Sequence, residues 1–238
     1  MESNMPDRIT VIIPCYNCAT QLARLLPKCV PYADFFTHWI VFDNHSEDHT
    51  VQVAKDFFAT HPTFRASIYQ HPVNQGYGGS LKRAFALAKQ RNDDYIIIFH
   101  GDDQGQLADI IPFIQQGEHR RYDCLLGARF HPQSIRQGYD GFRSLGNRVM
   151  NFLYGLGLNR RIYDLGSGLN VYRVDAFSNE DFLHYPNDLT FDYCGLLPQA
   201  VDRWCQSHQI DWQQWPQQGV IRGLSQRKQW ARHWHQQL

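Results

Sequence analysis

The length and composition of the chain limit what it can be. With 238 residues, 43% of them hydrophobic, it can form one α/β domain with a substantial core. Lys and Arg number 23, as do Asp and Glu, so no net positive field favours nucleic acid as a partner.

Transmembrane and secretory signals are absent from the sequence pattern. No apolar run approaches the ~18 residues that a spanning helix needs, and the polar N-terminus is unlike a signal peptide. The six cysteines are scattered, and Cys15 and Cys18 form a C-x-x-C without the second pair of a zinc set. We interpret them as two free thiols near a loop, rather than as a metal or redox centre, and expect a cytoplasmic protein.

Strands and helices alternate through the first half of the chain. Hydrophobic periodicity predicts strands at residues 9–13, 39–42, 64–69, 96–99 and 124–127, and helices at 18–30, 46–58, 80–91 and 107–116. This alternation is typical of a mostly parallel, doubly wound sheet. The second half is less regular, with helices predicted at 142–158 and 191–207 and a strand at 166–173. We predict a single domain.

Four polar or glycine-rich segments follow the predicted strands. They are PCYN (14–17), DNHS (43–46), NQGYGG (74–79) and HGDDQ (100–104). Ligands of open α/β sheets bind at the carboxyl ends of the strands, so these segments predict one site. The third segment leads into a helix N-terminus, where backbone N–H groups favour anions. The acidic cluster of the fourth could bind a divalent metal that neutralises a diphosphate leaving group.

With these segments in order, the chain resembles family 2 glycosyltransferases of the GT-A fold. Within that family it is most similar to the dolichol- or polyprenyl-phosphate sugar transferase branch. The matching segments are VIIPCYN (11–17), VFDNHSEDHT (41–50), NQGYGG (74–79), HGDDQ (100–104), LGAR (126–129) and DLGSGL (164–169). They cover about residues 8–175, and together they are highly specific.

The resemblance implies a nucleoside-diphosphate-sugar donor and a division of the domain. Residues 8–130 would bind the donor, residues 131–225 would face the acceptor, and residues 226–238 form a basic tail. Several residues fall where such enzymes hold the nucleotide, its base and ribose or its backbone contacts: Pro14, Tyr16, Asn17, Asp43, Asn44, Gly76 and Gly79. For Asp43 and the two glycines the alternative is turn geometry alone.

The resemblance also implies a metal at an Asp-x-Asp motif, often followed by x-Gln. Aligning Gln104 places His100 at the first acidic position and Asp102 at the second. We therefore predict Asp102 as the main ligand of Mn²⁺ or Mg²⁺, with Gln104 in support. His100 either favours Mn²⁺ or contacts the donor. Asp103 is the alternative ligand.

Further residues are assigned by the resemblance to catalysis and to the acceptor side. Arg129 would place a cation near the diphosphate or acceptor, and Asp192 is the candidate base. Acceptor-side contacts are expected at Arg143, which shares a helix face with Asn147 and Asn151, and at Asp164 and Ser167. The segment of Arg222 would close over the diphosphate. The alternatives are a surface ion pair for Arg129, ordinary helix stabilisation for Asp192, a polar outer face for Arg143 and a disordered tail for Arg222.

The implied reaction is glycosyl transfer with inversion, in which the acceptor oxygen attacks the anomeric carbon as the nucleoside diphosphate leaves. The acceptor would be a polyprenyl phosphate or a hydroxyl of a glycan or lipid, as in cell-envelope glycan synthesis. A hydroxyl would need a carboxylate base, whereas a phosphate is already ionised. The tail, with Trp230 and Trp234 among basic residues, is expected to pack in the core or to be disordered, and peripheral contact with an anionic membrane surface is the alternative.

The sequence argues against two other classes of enzyme and leaves one class of binding protein open. A dinucleotide-dependent oxidoreductase would carry Gly-x-Gly-x-x-Gly after the first strand, where the chain has PCYN. A nucleotidyltransferase would carry a glycine-rich basic loop there. A nucleotide-sugar-binding paralogue without catalysis is the remaining alternative, because His100 stands in place of an acid.

Overall fold

The computed structural model describes residues 6–128, 151–152, 155, 163–164, 167–177, 180–188 and 191. Its strands are β1 (Ile9–Cys15), β2 (His38–Asp43), β3 (Ala66–Gln70), β4 (Tyr95–Phe99), β5 (Cys124–Leu126) and β6 (Leu169–Arg173). Its α-helices are α1 (Ala19–Cys29), α2 (Thr50–Thr60), α3 (Gly76–Arg91) and α4 (Ile111–Gln115). Short 3₁₀ helices cover Val30–Tyr32, Leu107–Asp109, Glu118–Arg121, Val174–Phe177 and Glu180–His184.

The described strands form one sheet in the order β3-β2-β1-β4-β6-β5. Strands β3, β2, β1 and β4 pair in parallel, whereas β6 runs antiparallel to both β4 and β5. The expected mostly parallel α/β sheet is therefore confirmed, with an antiparallel strand inserted beside β4. Because β1, β2 and β4 are parallel neighbours, their carboxyl ends meet at one edge of the sheet.

Hydrophobic side chains alternate between the two faces of the sheet. Val11 and Ile13 of β1 pack with Leu22 of α1 on one face, while Ile12 packs with Leu81 and Phe85 of α3 on the other. The central strand β4 is buried along its whole length, as its continuous apolar run predicts. The core on both faces of the sheet therefore supports the strand ends from which the loops emerge.

Two helix predictions differ from the structure. Helix α3 begins at Gly76 rather than at residue 80, because the glycine run packs against the 186–187 backbone: a Cβ on Gly78 would lie 2.4 Å from the Pro186 carbonyl oxygen. The helix predicted at 107–116 is a 3₁₀ turn followed by the short α4. Pro112 lies at the start of α4, and Gly117 follows its end with a φ of 72°.

The two helices predicted at 142–158 and 191–207 lie almost entirely outside the described residues. Among the helices of the described ranges, none has both the length and the hydropathy that crossing a bilayer requires.

Candidate active site

An open cleft of about 420 Å³ lies at the carboxyl edge of the sheet. Loops that follow β1, β2, β3 and β4 all contribute to its walls. The described lining residues are Pro14, Cys15, Tyr16, Cys18, Asn44, Asn74, Gly76, Tyr77, Ser80, His100, Gly101, Asp102 and Asp188. The structure therefore brings together the four strand-end segments that the sequence singled out.

Asn44 joins two of these loops. Its Nδ2 donates to Asn74 Oδ1 at 2.8 Å, and its Oδ1 accepts from the Gln75 amide at 2.8 Å. The Asn44 side chain is thereby held in one orientation although it lies in a loop. Both asparagines line the cleft, so this bridge sets the shape of the wall between β2 and α3.

The two adjacent carboxylates of the β4 loop have different environments. Asp102 lines the cleft, and its Oδ1 accepts from the Gln104 amide at 3.1 Å. Asp103 turns away with a φ of 63° and pairs with Lys28 at 2.6 Å and Arg24 at 3.2 Å. Burial raises the Asp103 pKa, but the hydrogen bonds and charges of these two cations outweigh it and hold that pKa below its usual value.

The imidazole of His100 is held between Tyr77 and Gly168. Its Nε2 lies 2.9 Å from the Tyr77 hydroxyl, and the two rings meet edge to face at 5.0 Å. The His100 amide donates to the Gly168 carbonyl at 2.8 Å, and a Cβ on Gly168 would lie 2.9 Å from the imidazole Cγ. His100 thus connects β4, α3 and the 167–168 segment, and its ring orientation is defined by all three.

The first turn of α3 is capped by the protein itself. The Gly76 amide donates to Asn74 Oδ1 at 2.8 Å, and the Gly78 and Gly79 amides donate to the Asn187 carbonyl at 2.7 and 3.4 Å. These amides are already bonded, so the anion site expected at this helix start is not available from them. This is a correction to the prediction from sequence, and its cause is a loop more than 100 residues away in the chain.

Lys82 ties the same distant loop to α3. Its Nζ donates to the Tyr185 carbonyl and to Asn187 Oδ1, the latter at 2.7 Å. Burial lowers the Lys82 pKa. The loop that carries Asp188 is therefore fastened beside the cleft by both backbone and side-chain contacts.

Two thiols lie on the cleft floor. A Cβ on Gly101 would be 2.6 Å from Cys15 Sγ and 3.2 Å from Cys18 Sγ, so only glycine fits between them and the Pro14 carbonyl. The hydrogen bond with Cys18 and burial raise the Cys15 pKa well above its usual value, whereas the same hydrogen bond lowers the Cys18 pKa. Neither thiol is in a disulfide in this structure.

Six predicted site residues are described but do not line the cleft: Asn17, Asp43, Gly79, Gln104, Asp164 and Ser167. Asn17 connects two loops, since its amide donates to Ser46 Oγ at 2.9 Å and its Oδ1 accepts from the Glu47 amide at 2.8 Å. A Cβ on Gly79, in the first turn of α3, would lie 2.7 Å from Gln75 Cβ, and its role in binding the donor stays a prediction. Gln104 is exposed.

The other three of these residues are buried. Asp43 is fully buried; its Oδ2 accepts from the Ser46 amide at 3.1 Å, and its Oδ1 has no hydrogen-bond partner among the described residues. Ser167 Oγ accepts from the Leu169 amide at 3.3 Å. Asp164 is 4% exposed. Their assignment to substrate binding stays a prediction.

Four predicted residues lie outside the described part of the chain. They are Arg129, Arg143, Asp192 and Arg222, as is Asn147 on the helix face shared with Arg143. The third member of that face, Asn151, is buried and donates to the Tyr163 carbonyl at 2.8 Å.

The cleft also contains residues to which the sequence assigned no role, among them Tyr77, Ser80 and Asp188. Ser80 is buried, and its hydroxyl has no partner within the described ranges. The sequence could have indicated Tyr77, because it is an aromatic residue inside a glycine-rich segment. Asp188 follows Pro186 and Asn187 in a polar stretch that periodicity leaves unassigned, so only its tertiary position reveals it.

The charge of the cleft bears on whether a metal fits. Of the described lining residues, two are aspartates and none is Lys or Arg. Within the described ranges, no cluster of three or more His, Cys, Asp and Glu side chains surrounds a common point. Mg²⁺ and Mn²⁺ sites often use one or two carboxylates together with substrate phosphates and water, so Asp102 alone is a sufficient protein anchor. The residues present therefore fit a divalent metal bound together with a diphosphate.

Comparisons with known proteins agree with this geometry. The chain is 30% identical over 124 residues to protein RfbJ of Shigella flexneri, a match covering 51% of this chain and 84% of RfbJ. It is 26% identical over 100 residues to a dolichyl-phosphate β-glucosyltransferase of Drosophila melanogaster, covering 39% of this chain and 31% of that protein.

Among solved structures, glucosyl-3-phosphoglycerate synthase of Mycobacterium tuberculosis superposes with a TM-score of 0.57 at 16% identity, covering 84% of this chain and 66% of that one. That structure contains Mn²⁺, UDP-glucose and glycerol 3-phosphate. At this identity the likeness establishes the fold, and the expected GT-A fold is confirmed. The sequence model of "Glycosyl transferase family 2" matches residues 10–180, well over half of the chain. The chain therefore belongs to glycosyl transferase family 2.

Proposed function

We propose that the protein transfers a sugar, with inversion, from a nucleoside-diphosphate-sugar to an acceptor oxygen, assisted by Mn²⁺ or Mg²⁺. One observation carries the proposal: the cleft at the carboxyl edge of the sheet presents Asp102 and no described Lys or Arg. Among the described Asp, Glu, Lys and Arg residues that line it, a diphosphate would meet only the carboxylates of Asp102 and Asp188. A divalent cation bound between Asp102 and the diphosphate removes that repulsion.

The nucleoside would bind at the β1 and β2 loops. Tyr16 lines the cleft with 51% of its surface exposed, which offers an aromatic face on which a base can stack. Pro14 and the fixed Asn44 side chain form the neighbouring wall. Asp43 Oδ1 is a buried acceptor that an N–H of the base would satisfy if it reached below Asn44.

The diphosphate and sugar would lie between α3 and the β4 loop. Ser80 supplies a hydroxyl at the cleft that has no partner among the described residues and can donate to a phosphate or sugar oxygen. Tyr77 and His100 hold each other, so they present a fixed polar edge to the donor. Gly76, at a φ of 71°, lets the α3 backbone approach the cleft without a side chain.

Asp102 would hold the metal, which supplies charge neutralisation for the departing diphosphate. Gln104 could support it by fixing the Asp102 carboxylate through its amide. We assign His100 to the donor contacts rather than to the metal, and its 2.9 Å contact from Nε2 to the Tyr77 hydroxyl supports that assignment. Proton removal from a hydroxyl acceptor would fall to a carboxylate on the acceptor side, for which Asp192 is the predicted group and Asp188 lines the cleft.

The acceptor side is a proposal drawn from resemblance. Residues 131–225 would carry it, with Arg129, Arg143 and Arg222 as cations for the diphosphate or for an acceptor phosphate. The match to a dolichyl-phosphate enzyme supports a polyprenyl phosphate, which needs no base, over a glycan hydroxyl. The 226–238 tail would then rest on an anionic membrane surface.

The proposal is tested by titrating UDP, GDP and their sugar conjugates into the protein, with Mn²⁺, Mg²⁺ or EDTA, followed by a donor-hydrolysis screen. Metal-dependent binding of one nucleotide and slow hydrolysis of its sugar conjugate are expected. Absence of binding at millimolar nucleotide would refute the proposal. Binding without turnover on any donor or acceptor would support the paralogue that binds nucleotide-sugar without catalysis.

The membrane proposal has its own test. Co-sedimentation with anionic liposomes is compared between the full chain and a variant truncated after residue 225. Equal behaviour of the two, with no sedimentation on liposomes, would show that the tail has no membrane role.

A further inference from the structure

Two cysteines on the cleft floor form a site that the glycosyl-transfer reaction does not use. Cys15 is the last residue of β1, and Cys18 is the residue immediately before α1. Both line the cleft, and both sulfurs lie close to the same point beside Gly101. The chain between them turns through Asn17, whose φ of 48° folds the segment back on itself.

The surroundings hold this pair in place and differentiate its members. The Cys18 amide donates to Thr50 Oγ1 at 3.0 Å, which fixes Cys18 at the start of the 11-residue α1. Cys15 Sγ lies 3.5 Å from the Ile13 carbonyl inside the core. The lowered Cys18 pKa, set by its hydrogen bond with Cys15, makes Cys18 the better nucleophile of the two.

We propose that Cys15 and Cys18 are a thiol modification site that forms a reversible disulfide and thereby controls entry of the donor. The effect on the donor rests on the function proposed above, whereas formation of the disulfide does not. The oxidant is a small-molecule disulfide.

The chemistry of this step balances. The Cys18 thiolate attacks one sulfur of the oxidant and releases its first thiol, leaving a mixed disulfide on Cys18. The Cys15 thiolate then attacks Cys18 Sγ and displaces the second thiol. The two protein thiols lose two protons and two electrons, and the oxidant gains both as two thiols.

Disulfide formation must disturb the cleft because the sulfurs support its floor. Gly101 fits against both of them and donates its amide to the Pro14 carbonyl at 3.1 Å. Bringing the sulfurs to the ~2.05 Å of a disulfide withdraws at least one of them from Gly101. Gly101 directly precedes Asp102, so the group proposed to anchor the metal and diphosphate shifts with it.

Peptide mass spectrometry tests the first half of the proposal. Trypsin releases residues 9–24 as one peptide that contains Cys15 and Cys18 and no other cysteine. After treatment of the folded protein with oxidised glutathione, this peptide should resist alkylation and be about 2 Da lighter, and dithiothreitol should reverse both changes. Full alkylation of both thiols in the oxidant-treated protein would overturn the proposal.

Variants test the assignment and guard against misfolding. C18S and C15S should each lose the intramolecular disulfide, and C15S should keep glutathione on Cys18 as a stable adduct. C29S, which changes a buried thiol within α1, should form the disulfide like the wild type. Formation of a disulfide with any other cysteine at the same rate would also refute the site.

Nucleotide binding tests the second half. Saturating nucleotide with metal should slow oxidation of the pair, and the oxidised protein should bind that nucleotide about tenfold more weakly or worse. Equal affinity of oxidised and reduced protein would refute control of the donor. If neither form binds nucleotide, the proposed function fails while the disulfide result stands on its own.

Discussion

The adjacent carboxylates Asp102 and Asp103 offer a matched pair of substitutions that separates function from stability. Asp102→Asn removes one negative charge from the cleft, and Asp103→Asn removes the charge that pairs with Arg24 and Lys28 of α1. Both changes preserve size and shape. Asn also tolerates the φ of 63° at position 103, so backbone strain does not confound the comparison.

The expected magnitudes follow from the contacts. The cations paired with Asp103, Arg24 and Lys28, are more than half exposed, so each pair contributes about 0.2–1 kcal/mol and Asp103→Asn should cost about 1 kcal/mol. For a chain of this size, that lowers Tm by about 2–4 °C. Asn at position 102 can still accept from the Gln104 amide, so its stability should stay within about 0.5 kcal/mol of wild type.

Activity should show the opposite order. Asp102→Asn loses the proposed metal anchor, worth several kcal/mol at the transition state, so metal-dependent turnover should fall at least about 100-fold. Asp103→Asn should keep most of its turnover.

The pH decides when the Asp103 ion pairs contribute to stability. The folded state lowers the pKa of Asp103, so this contribution is complete at neutral pH and is lost only as the pH falls below the ordinary carboxyl range.

Three measurements compare the two variants with wild type: thermal unfolding at pH 7, donor hydrolysis with Mn²⁺, and nucleotide affinity with metal or with EDTA. In EDTA, Asp102→Asn should bind nucleotide at least as tightly as wild type, since the lost attraction requires the metal and the removed carboxylate charge repels the diphosphate. If Asp103→Asn abolished turnover and Asp102→Asn kept it, the motif would be aligned one residue out. Equal loss in both variants with normal folding would refute the division of roles.

Three other predictions concern the cleft wall and pH. Gly168→Ala should lower the free energy of unfolding by about 1–3 kcal/mol and weaken nucleotide binding, because the new Cβ would lie 2.9 Å from the His100 ring. Gly105→Ala is the control, because its Cβ would lie 3.3 Å from its nearest contact, the edge of an aromatic ring. Unfolding and binding assays should show a smaller effect for Gly105→Ala. Tyr77→Phe should lose the hydroxyl contact with His100, lowering stability by about 1 kcal/mol and raising the KM for the donor; an unchanged KM would remove the pair from donor binding. Burial, with the charge of a nearby arginine, lowers the pKa of His38 to about 4. Stability from neutral His38 is therefore complete above pH ~6.5 and falls between ~6.5 and ~4, a slope that denaturant titrations should find reduced in His38→Gln.

The strand ends show how far sequence reasoning extends. Apolar runs such as residues 96–99 stop abruptly at polar loops, and this contrast locates both the strands and the edge at which a ligand binds. Strands can be located in this way because the run of apolar residues that favours burial lies within the strand's own sequence. The antiparallel direction of β6 beside β4 has no such local signature, since strand direction depends on which strand becomes the neighbour in the folded sheet.

The α3 entry shows where local reasoning fails. Glycines in NQGYGG predict a loop and an anion site, yet the structure has a helix from Gly76 whose first amides are bonded to Asn74 and to the Asn187 carbonyl. The glycines are required by the close approach of residues 186–187. The spacing of residues in the sequence carries no information about a hydrogen-bond acceptor, the Asn187 carbonyl, that lies over 100 residues away in the chain.

The sequence by itself determined the family, the α/β order and the edge of the sheet at which the site lies, because these depend on motifs and periodicity that are written locally. Tertiary structure alone decided that Asp102 faces the cleft while Asp103 faces Arg24 and Lys28. It also decided that His100 contacts Gly168 and Tyr77, and that the thiols of Cys15 and Cys18 both lie beside Gly101. Neighbouring residues in a tight turn point in different directions, and their partners come from other elements, so only the folded chain can assign them.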